Sequence, residues 1–169
     1  MEVFDAVRTV LAVREFQDKP VPAEVIRRVA DAAHLTASSS NRQPWHFVFV
    51  EDRATLLRLG ELCTSGKYTA GAAFAVVVGA DEEARYGNAD TARAIQSMVL
   101  TAWADGVGSN WVGVPNPDET RALLGIPATV NLVGIVPFGY PVKRLGLGKK
   151  NRKPFNEVVH LGRFGQPFA

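Results

Sequence analysis

The stretch that decides the fold runs TASSSNRQPWHFVFV, from Thr36 to Val50. Its first part, Thr36-Ala37-Ser38-Ser39-Ser40-Asn41, is a polar loop whose side chains favour turns by bonding to nearby backbone. Its last part, His46-Phe47-Val48-Phe49-Val50, is β-branched and aromatic, and predicts a strand. Upstream, Val25, Ile26, Val29, Ala30 and Ala33 recur at helical spacing, with Arg27, Arg28 and Asp31 on other faces. They predict a helix with Pro22 in its first turn and an end near His34 or Leu35. Lys19-Pro20-Val21-Pro22 separates it from a first amphipathic helix over Val3 to Val13, apolar at Phe4, Val7, Val10 and Leu11.

Working downstream, Asp52 is a candidate cap for a helix through Leu56, Leu57 and Leu59. Phe74 to Gly79 is almost wholly apolar and suits a strand buried on both faces. Asp90 is expected to open a helix whose stripe holds Ala92, Ile95, Met98, Val99 and Ala102, with Trp103 beside it. That helix should end at Asp105-Gly106. A short strand is expected at Asn110 to Val114. Asn116-Pro117-Asp118-Glu119 reads as a helix start, with Asn116 as cap, Pro117 first and Glu119 placed for a capping box. Gly125 and Pro127 end that helix. Leu132 to Phe138 reads as a buried strand, and Val158 to Leu161 as a last short one. The order of elements, without strict βαβ spacing, predicts one domain over residues 1–169, of α+β class with a mixed sheet flanked by helices.

The totals narrow the function. The chain has 169 residues, 47% hydrophobic and 21% charged, as a globular domain does. The single cysteine, Cys63, cannot form an intrachain disulfide, and is read as a core residue rather than a reactive thiol. The start carries Glu2, Asp5, Arg8 and Arg14 among apolar residues, unlike a signal peptide. With no apolar run of about 18 residues, a cytoplasmic location without membrane association is expected. Net charge is only +2, but Lys143, Arg144, Lys149, Lys150, Arg152 and Lys153 cluster with no acid among them. Such a cluster suggests a local anion. No aromatic residue lies between Lys143 and Lys153 to stack on bases, so no nucleic-acid partner is expected.

Familiar catalytic sets are missing from the sequence. His34, His46 and His160 are scattered, so no metal site is expected. No nucleophile elbow, phosphate-binding P-loop or dinucleotide-binding glycine motif is present. A chain so poor in acids, bases and nucleophiles at useful spacing suits a cofactor that brings its own chemistry. Ser38-Ser39-Ser40-Asn41-Arg42-Gln43-Pro44-Trp45 gathers hydroxyls, amides, a guanidinium and an indole able to meet the edge of a heteroaromatic ring. The same residues would equally serve a capped turn with Trp45 as a core anchor. Lys150-Asn151-Arg152 would aim two cations the same way if extended, enough to clamp a phosphate. It would also serve as a solvated charge run. Arg14, just after the first helix, is open to an anionic ligand or to a carboxylate.

Taken together, these segments resemble the nitroreductase family of FMN flavoproteins along nearly the whole chain. Val13-Arg14-Glu15-Phe16 with Pro20-Val21-Pro22 is similar to the family's N-terminal signature. Asn41-Arg42-Gln43-Pro44-Trp45 lies at the centre of its most specific motif. Asp90 to Gly108, with Gln96, Ala102, Gly106 and Gly108, resembles the central helix and its exit. Pro137-Phe138-Gly139-Tyr140-Pro141, Lys150-x-Arg152 and Val158-Val159-His160 resemble the C-terminal pattern. The resemblance implies a mainly antiparallel central sheet and a homodimer with two FMN molecules at its interface. It implies that Arg14 contacts the ring edge or ribityl chain. Ser38, Ser39, Ser40, Asn41 and Gln43 would line the flavin, partly from the opposite subunit. Trp111, Val112 and Gly113 would flank the ring, and Lys150 with Arg152 would hold the phosphate.

The activity implied is hydride transfer from NADH or NADPH, through flavin, to a small conjugated acceptor of nitroaromatic, quinone or enone type. No catalytic side chain is implied. The sequence departs from the family where Val10, Leu11 and Ala12 replace a usual Arg-Arg-Ser, where Ala37 replaces a proline, and where no acid stands near Val112. Loss of a charged phosphate contact worth ~1.5–3 kcal/mol predicts roughly tenfold to hundredfold weaker FMN binding unless Arg144, Lys149 or Lys153 compensates. The departure also supports an alternative, a non-catalytic relative binding a flavin, deazaflavin or other planar ligand.

Overall fold

The computed structural model describes residues 1–143 and 150–168. Its chain order is α1 (Val3–Thr9), α2 (Ala23–His34), β1 (Trp45–Val50), α3 (Arg53–Leu62), β2 (Phe74–Asp81), α4 (Gly87–Ala104), β3 (Gly108–Ser109), α5 (Pro117–Leu124) and β4 (Val130–Gly139). The strands lie in the order β1-β2-β4-β3, and each ladder is antiparallel. The expected α+β class with a mainly antiparallel sheet is observed; among the described residues the one parallel link is a single bridge from Ala12 to Ser109.

The apolar run of β2 is central because it must bury both faces. Successive side chains of a strand point to opposite sides. Phe74, Val76 and Val78 meet Val136 and Phe138 of β4 under α2 and α4, where Val29, Ala33, Ile95, Met98 and Ala102 pack. The Phe74 and Phe138 rings stack with centroids 4.7 Å apart. Ala75 and Val77 face the other way, with Ile135, towards Leu56 and Leu59 of α3 and towards Val112. The result is three layers, helices on both faces of one sheet. Among the described residues no helix is long and apolar enough to cross a membrane.

Several boundaries differ from the sequence expectation. Helix α1 stops at Thr9 rather than Val13, because tertiary pairing claims the next residues: Val13 N–H donates to the Ser109 carbonyl at 2.9 Å. Pro22 precedes α2 as its cap residue. Asp52 caps α3 as expected, accepting from Thr55 N–H at 2.8 Å. Helix α4 begins at Gly87, a turn before Asp90, so Asp90 is not its cap. The expected strand at Asn110–Val114 is regular only just upstream, at Gly108–Ser109, yet Val112 exchanges two backbone bonds with Ile135 in the same register. Pro117 does open α5 and Gly125 closes it with φ 66°, but Asn116 turns its amide to the Leu62 carbonyl at 2.7 Å instead of capping. Val158–Leu161 forms no strand; a 3-10 turn at Phe155–Glu157 and one bridge from His160 to Pro167 take its place.

Candidate functional site

The Ser38–Gln43 loop is held in a costly shape. Ser40, Asn41 and Gln43 have φ of 52°, 54° and 51°, the left-handed region that non-glycine residues avoid. Each such residue costs about 1–2 kcal/mol, so the surroundings must enforce the conformation. Asp90 does much of this. Only 1% exposed, it accepts from Ser39 N–H at 3.1 Å to either oxygen and from Ser39 Oγ at 3.0 Å. The Arg93 guanidinium lies 3.5 Å from it. Within the loop, Ser38 Oγ accepts from Gln43 N–H at 2.9 Å, and the Gln43 amide donates to the Asn41 carbonyl at 3.2 Å. Trp45, 8% exposed, anchors the loop's exit in the core. Core anchoring was one of the two readings of that indole.

Asp90 is the residue that sequence reasoning missed as part of the site. A signal was available: Asp90, Ala94, Met98 and Ala102 repeat every four residues, which places the aspartate on the buried stripe of α4.

The second group lies around β3 and the strap that follows α1. Ala12 to Gln17 is tied between Ser109 and the chain after β4, through Gln17 N–H to the Tyr140 carbonyl at 2.8 Å and Val142 N–H to the Glu15 carbonyl at 3.2 Å. Val13 is pressed so close to Gly108 that a Cβ there would stand 2.2 Å from Val13 Cγ2. Arg14 is thereby held at the sheet edge with its side chain exposed. Trp111 lies over Gly134, where an added Cβ would meet its Nε1 at 2.3 Å, and its indole stays 45% exposed. Val112 is buried, and Gly113 is open to solvent.

Lys150 reaches back to α1 and donates from Nζ to the Val7 carbonyl. That carbonyl belongs to the last turn of α1, where unpaired backbone oxygens attract cations. Burial pushes the Lys150 ammonium below its ordinary pKa, and the neighbouring Arg152 charge adds to this. Lys150 therefore brings a cation to the end of α1, next to Val10, Leu11 and Ala12. Arg152 is exposed and, among the described residues, its side chain bonds only its neighbour's carbonyl, Asn151 O, at 2.9 Å. Arg144 and Lys149 lie outside the described residues. Lys153 is exposed.

These two groups do not meet within one chain. Trp45, at the exit of the Ser38–Gln43 loop, starts edge strand β1 opposite Ala80, which in turn faces Asn131 near the start of β4. Gly108 starts the other edge, opposite Gly139 at the end of β4. The loop and the Arg14–Trp111–Lys150 group thus occupy opposite edges, and their strands begin at opposite ends of the sheet.

The chain is thus a layered α+β domain with a strained polar loop at one corner and a cationic edge at the other. A family model described as the nitroreductase family matches residues 8–75 and 65–140. A relative from Archaeoglobus fulgidus, provisionally named an NADH dehydrogenase/NAD(P)H nitroreductase, is 34% identical over 166 residues, covering 93% of this chain and 91% of its own. A solved structure from Parabacteroides distasonis under the same provisional name is 28% identical with a TM-score of 0.85, covering 95% and 98%. The structure of an FMN-dependent nitroreductase from Clostridium difficile is 26% identical with a TM-score of 0.84, covering 95% and 99%. The chain belongs to the nitroreductase family, as its motifs suggested.

Proposed function

We propose that this protein is an FMN-dependent oxidoreductase, taking hydride from NADH or NADPH and delivering it to a small conjugated acceptor of nitroaromatic, quinone or enone type. It works as a homodimer with flavin at the interface, and is expected in the cytoplasm. The observation that carries this is the separation of the two residue groups. One chain cannot close both around a single ring system. A two-fold copy brings the Ser38–Gln43 corner of one subunit against the Arg14 edge of the other. Exposed Val3, Phe4 and Val7 on α1, with Phe155, Val158, Leu161 and Phe164 in the tail, supply apolar surface for such a copy.

The donor set fits FMN. Ser39, Ser40, Asn41 and Gln43 offer the mixed donors and acceptors that an isoalloxazine edge requires. Trp111, Val112 and Gly113 offer a partly exposed indole and an open glycine to a ring face. Arg14, Lys150 and Arg152 offer cations to a ribityl phosphate. Lys150 would exchange the Val7 carbonyl for a phosphate oxygen, and the anion would oppose the downward shift of its pKa. Bound flavin supplies the hydride-carrying ring, so these residues need only bind, orient and exclude water.

A second reading has its own support. Val10, Leu11 and Ala12 offer no phosphate cation or hydroxyl, and Lys150 is engaged by α1. A protein so built would hold a flavin, a deazaflavin or another planar ligand without turnover. An absorption spectrum of the purified protein, recorded before and after anaerobic NADH or NADPH, separates the two. Flavin bands that bleach support the oxidoreductase. Bands that persist with either nucleotide support the binding protein, and failure to take up added FMN removes the flavin from both readings.

A further inference from the structure

The Ser38–Gln43 loop does more than bound the proposed flavin position. With the turn between β2 and α4 it encloses a hollow of about 160 Å³, lined in part by Ser39, Ser40, Arg42, Arg85, Tyr86 and Asp90. A cavity of ~150 Å³ holds a benzene ring, so the space suits one aromatic ring. Its charge is uneven. Asp90 is committed to Ser39 and Arg93. Arg42 and Arg85 are different. Arg8, Arg27, Arg28, Arg58, Arg93 and Arg121 each hold a carboxylate. Among the described residues, the guanidinium groups of Arg42 and Arg85, like those of Arg14 and Arg163, have neither an ion-pair partner nor a hydrogen bond, and of these four only Arg42 and Arg85 line the hollow. Arg85 instead lies over the Tyr86 ring, 5.2 Å from its centroid, beside the hollow.

We propose that Arg42 and Arg85, with Tyr86 as an aromatic wall, select an acceptor that is a planar aromatic ring bearing one carboxylate. A guanidinium fork matches a carboxylate in geometry as well as charge. The adjoining hollow carries Asp81 and Glu82. Asp81 is bonded to His46 at 2.8 Å, while Glu82 is exposed. These acids disfavour a multiply charged polyphosphate and favour a monoanion. Assigning the ligand as an acceptor rests on the oxidoreductase reading; the anion preference itself does not.

The test is equilibrium binding of para-nitrobenzoate and para-nitrobenzamide to the oxidised, FMN-supplemented protein by calorimetry. The two ligands match in shape and differ in charge. The carboxylate should bind at least about tenfold more tightly. In Arg42→Gln and Arg85→Gln, the ratio of the two dissociation constants should fall towards one while thermal stability holds. Equal affinities in the unsubstituted protein, or a ratio unmoved in both variants, overturn the proposal. Steady-state assays on the same samples separate the two levels. Tight carboxylate binding to a flavoprotein that neither NADH nor NADPH bleaches refutes the oxidoreductase reading and leaves the anion cleft standing, whereas bleaching without reduction of either compound refutes the acceptor assignment. A rise in the KM for NADPH in the variants, with para-nitrobenzoate unaffected, assigns the arginines to the electron donor and refutes the acceptor assignment.

Discussion

Replacing Asp90 by Asn changes one buried atom's chemistry and almost none of its volume. Three donor–acceptor contacts converge on this carboxylate from Ser39, at 3.0–3.1 Å. Hydrogen bonds to a charged group contribute ~1.5–3 kcal/mol each. Burying the carboxylate costs several kcal/mol in return, so the gross figure overstates the loss. An asparagine oxygen can still take one bond, but its NH2 must then face a donor. The net loss expected is about 2–4 kcal/mol. At ~2–4 °C per kcal/mol for a domain near this size, Tm should fall by roughly 4–16 °C. The effect should be local first. Ser40, Asn41 and Gln43 sit in left-handed backbone that relaxes once Ser39 is released, so amide exchange across Ser38–Gln43 should speed up before that of β2. Ser39→Ala removes only the hydroxyl contact and should cost about 1 kcal/mol. The double variant should fall short of the sum, because the two residues share one interaction. A Tm within about 2 °C of the unsubstituted protein, with loop amides unchanged, would refute the assignment of Asp90 as the loop's anchor.

Three further outcomes are expected. Arg152→Ala, at an exposed position, should weaken FMN binding at least about tenfold by fluorescence titration without lowering Tm; an unchanged dissociation constant removes Arg152 from the site. Burial raises the pKa of the Cys63 thiol, and the residue is 1% exposed. Ellman's reagent at mildly alkaline pH should therefore label it only on unfolding, and rapid labelling of the native protein would contradict the packing. Gly134→Ala places a Cβ within 2.3 Å of Trp111 Nε1. It should cost roughly 1–3 kcal/mol and shift the tryptophan emission, whereas unchanged emission would mean that the indole does not rest on Gly134.

The core was legible because its signals are periodic. The run at β2 and the stripe of α4 admit one burial pattern each, and Gly106 and Gly125 mark their turns by backbone freedom. The polar loop was legible by composition. Its strain was not, since Ser40 and Gln43 are not residue types that announce left-handed backbone. Asp90 was misread because two local rules compete for it: an aspartate near a helix start suggests a cap, while its four-residue spacing to Ala94 and Met98 suggests the core. Burial won, since the side chain found Ser39. The end of α1 was illegible for a different reason. Nothing within Val10-Leu11-Ala12-Val13 forbids a helix; the competing partner, Ser109, lies far along the chain. The tail misled because Val158 to Leu161 has strand composition but pairs only through His160.

The strap from Ala12 to Gln17 also sets an order of assembly. These residues leave the ribosome early, yet their partners arrive late: Ser109, then Tyr140 and Pro141. Gln17 donates its amide to the Pro141 carbonyl across 124 positions. Closing so wide a loop is slow compared with forming local helices. A nascent chain halted before β4 therefore holds the Arg14 strap by Ser109 alone, however well α2 and β1 have formed. The cationic edge is among the last parts of the fold that synthesis can complete. Extensions fused ahead of Met1 would burden that closing step most directly.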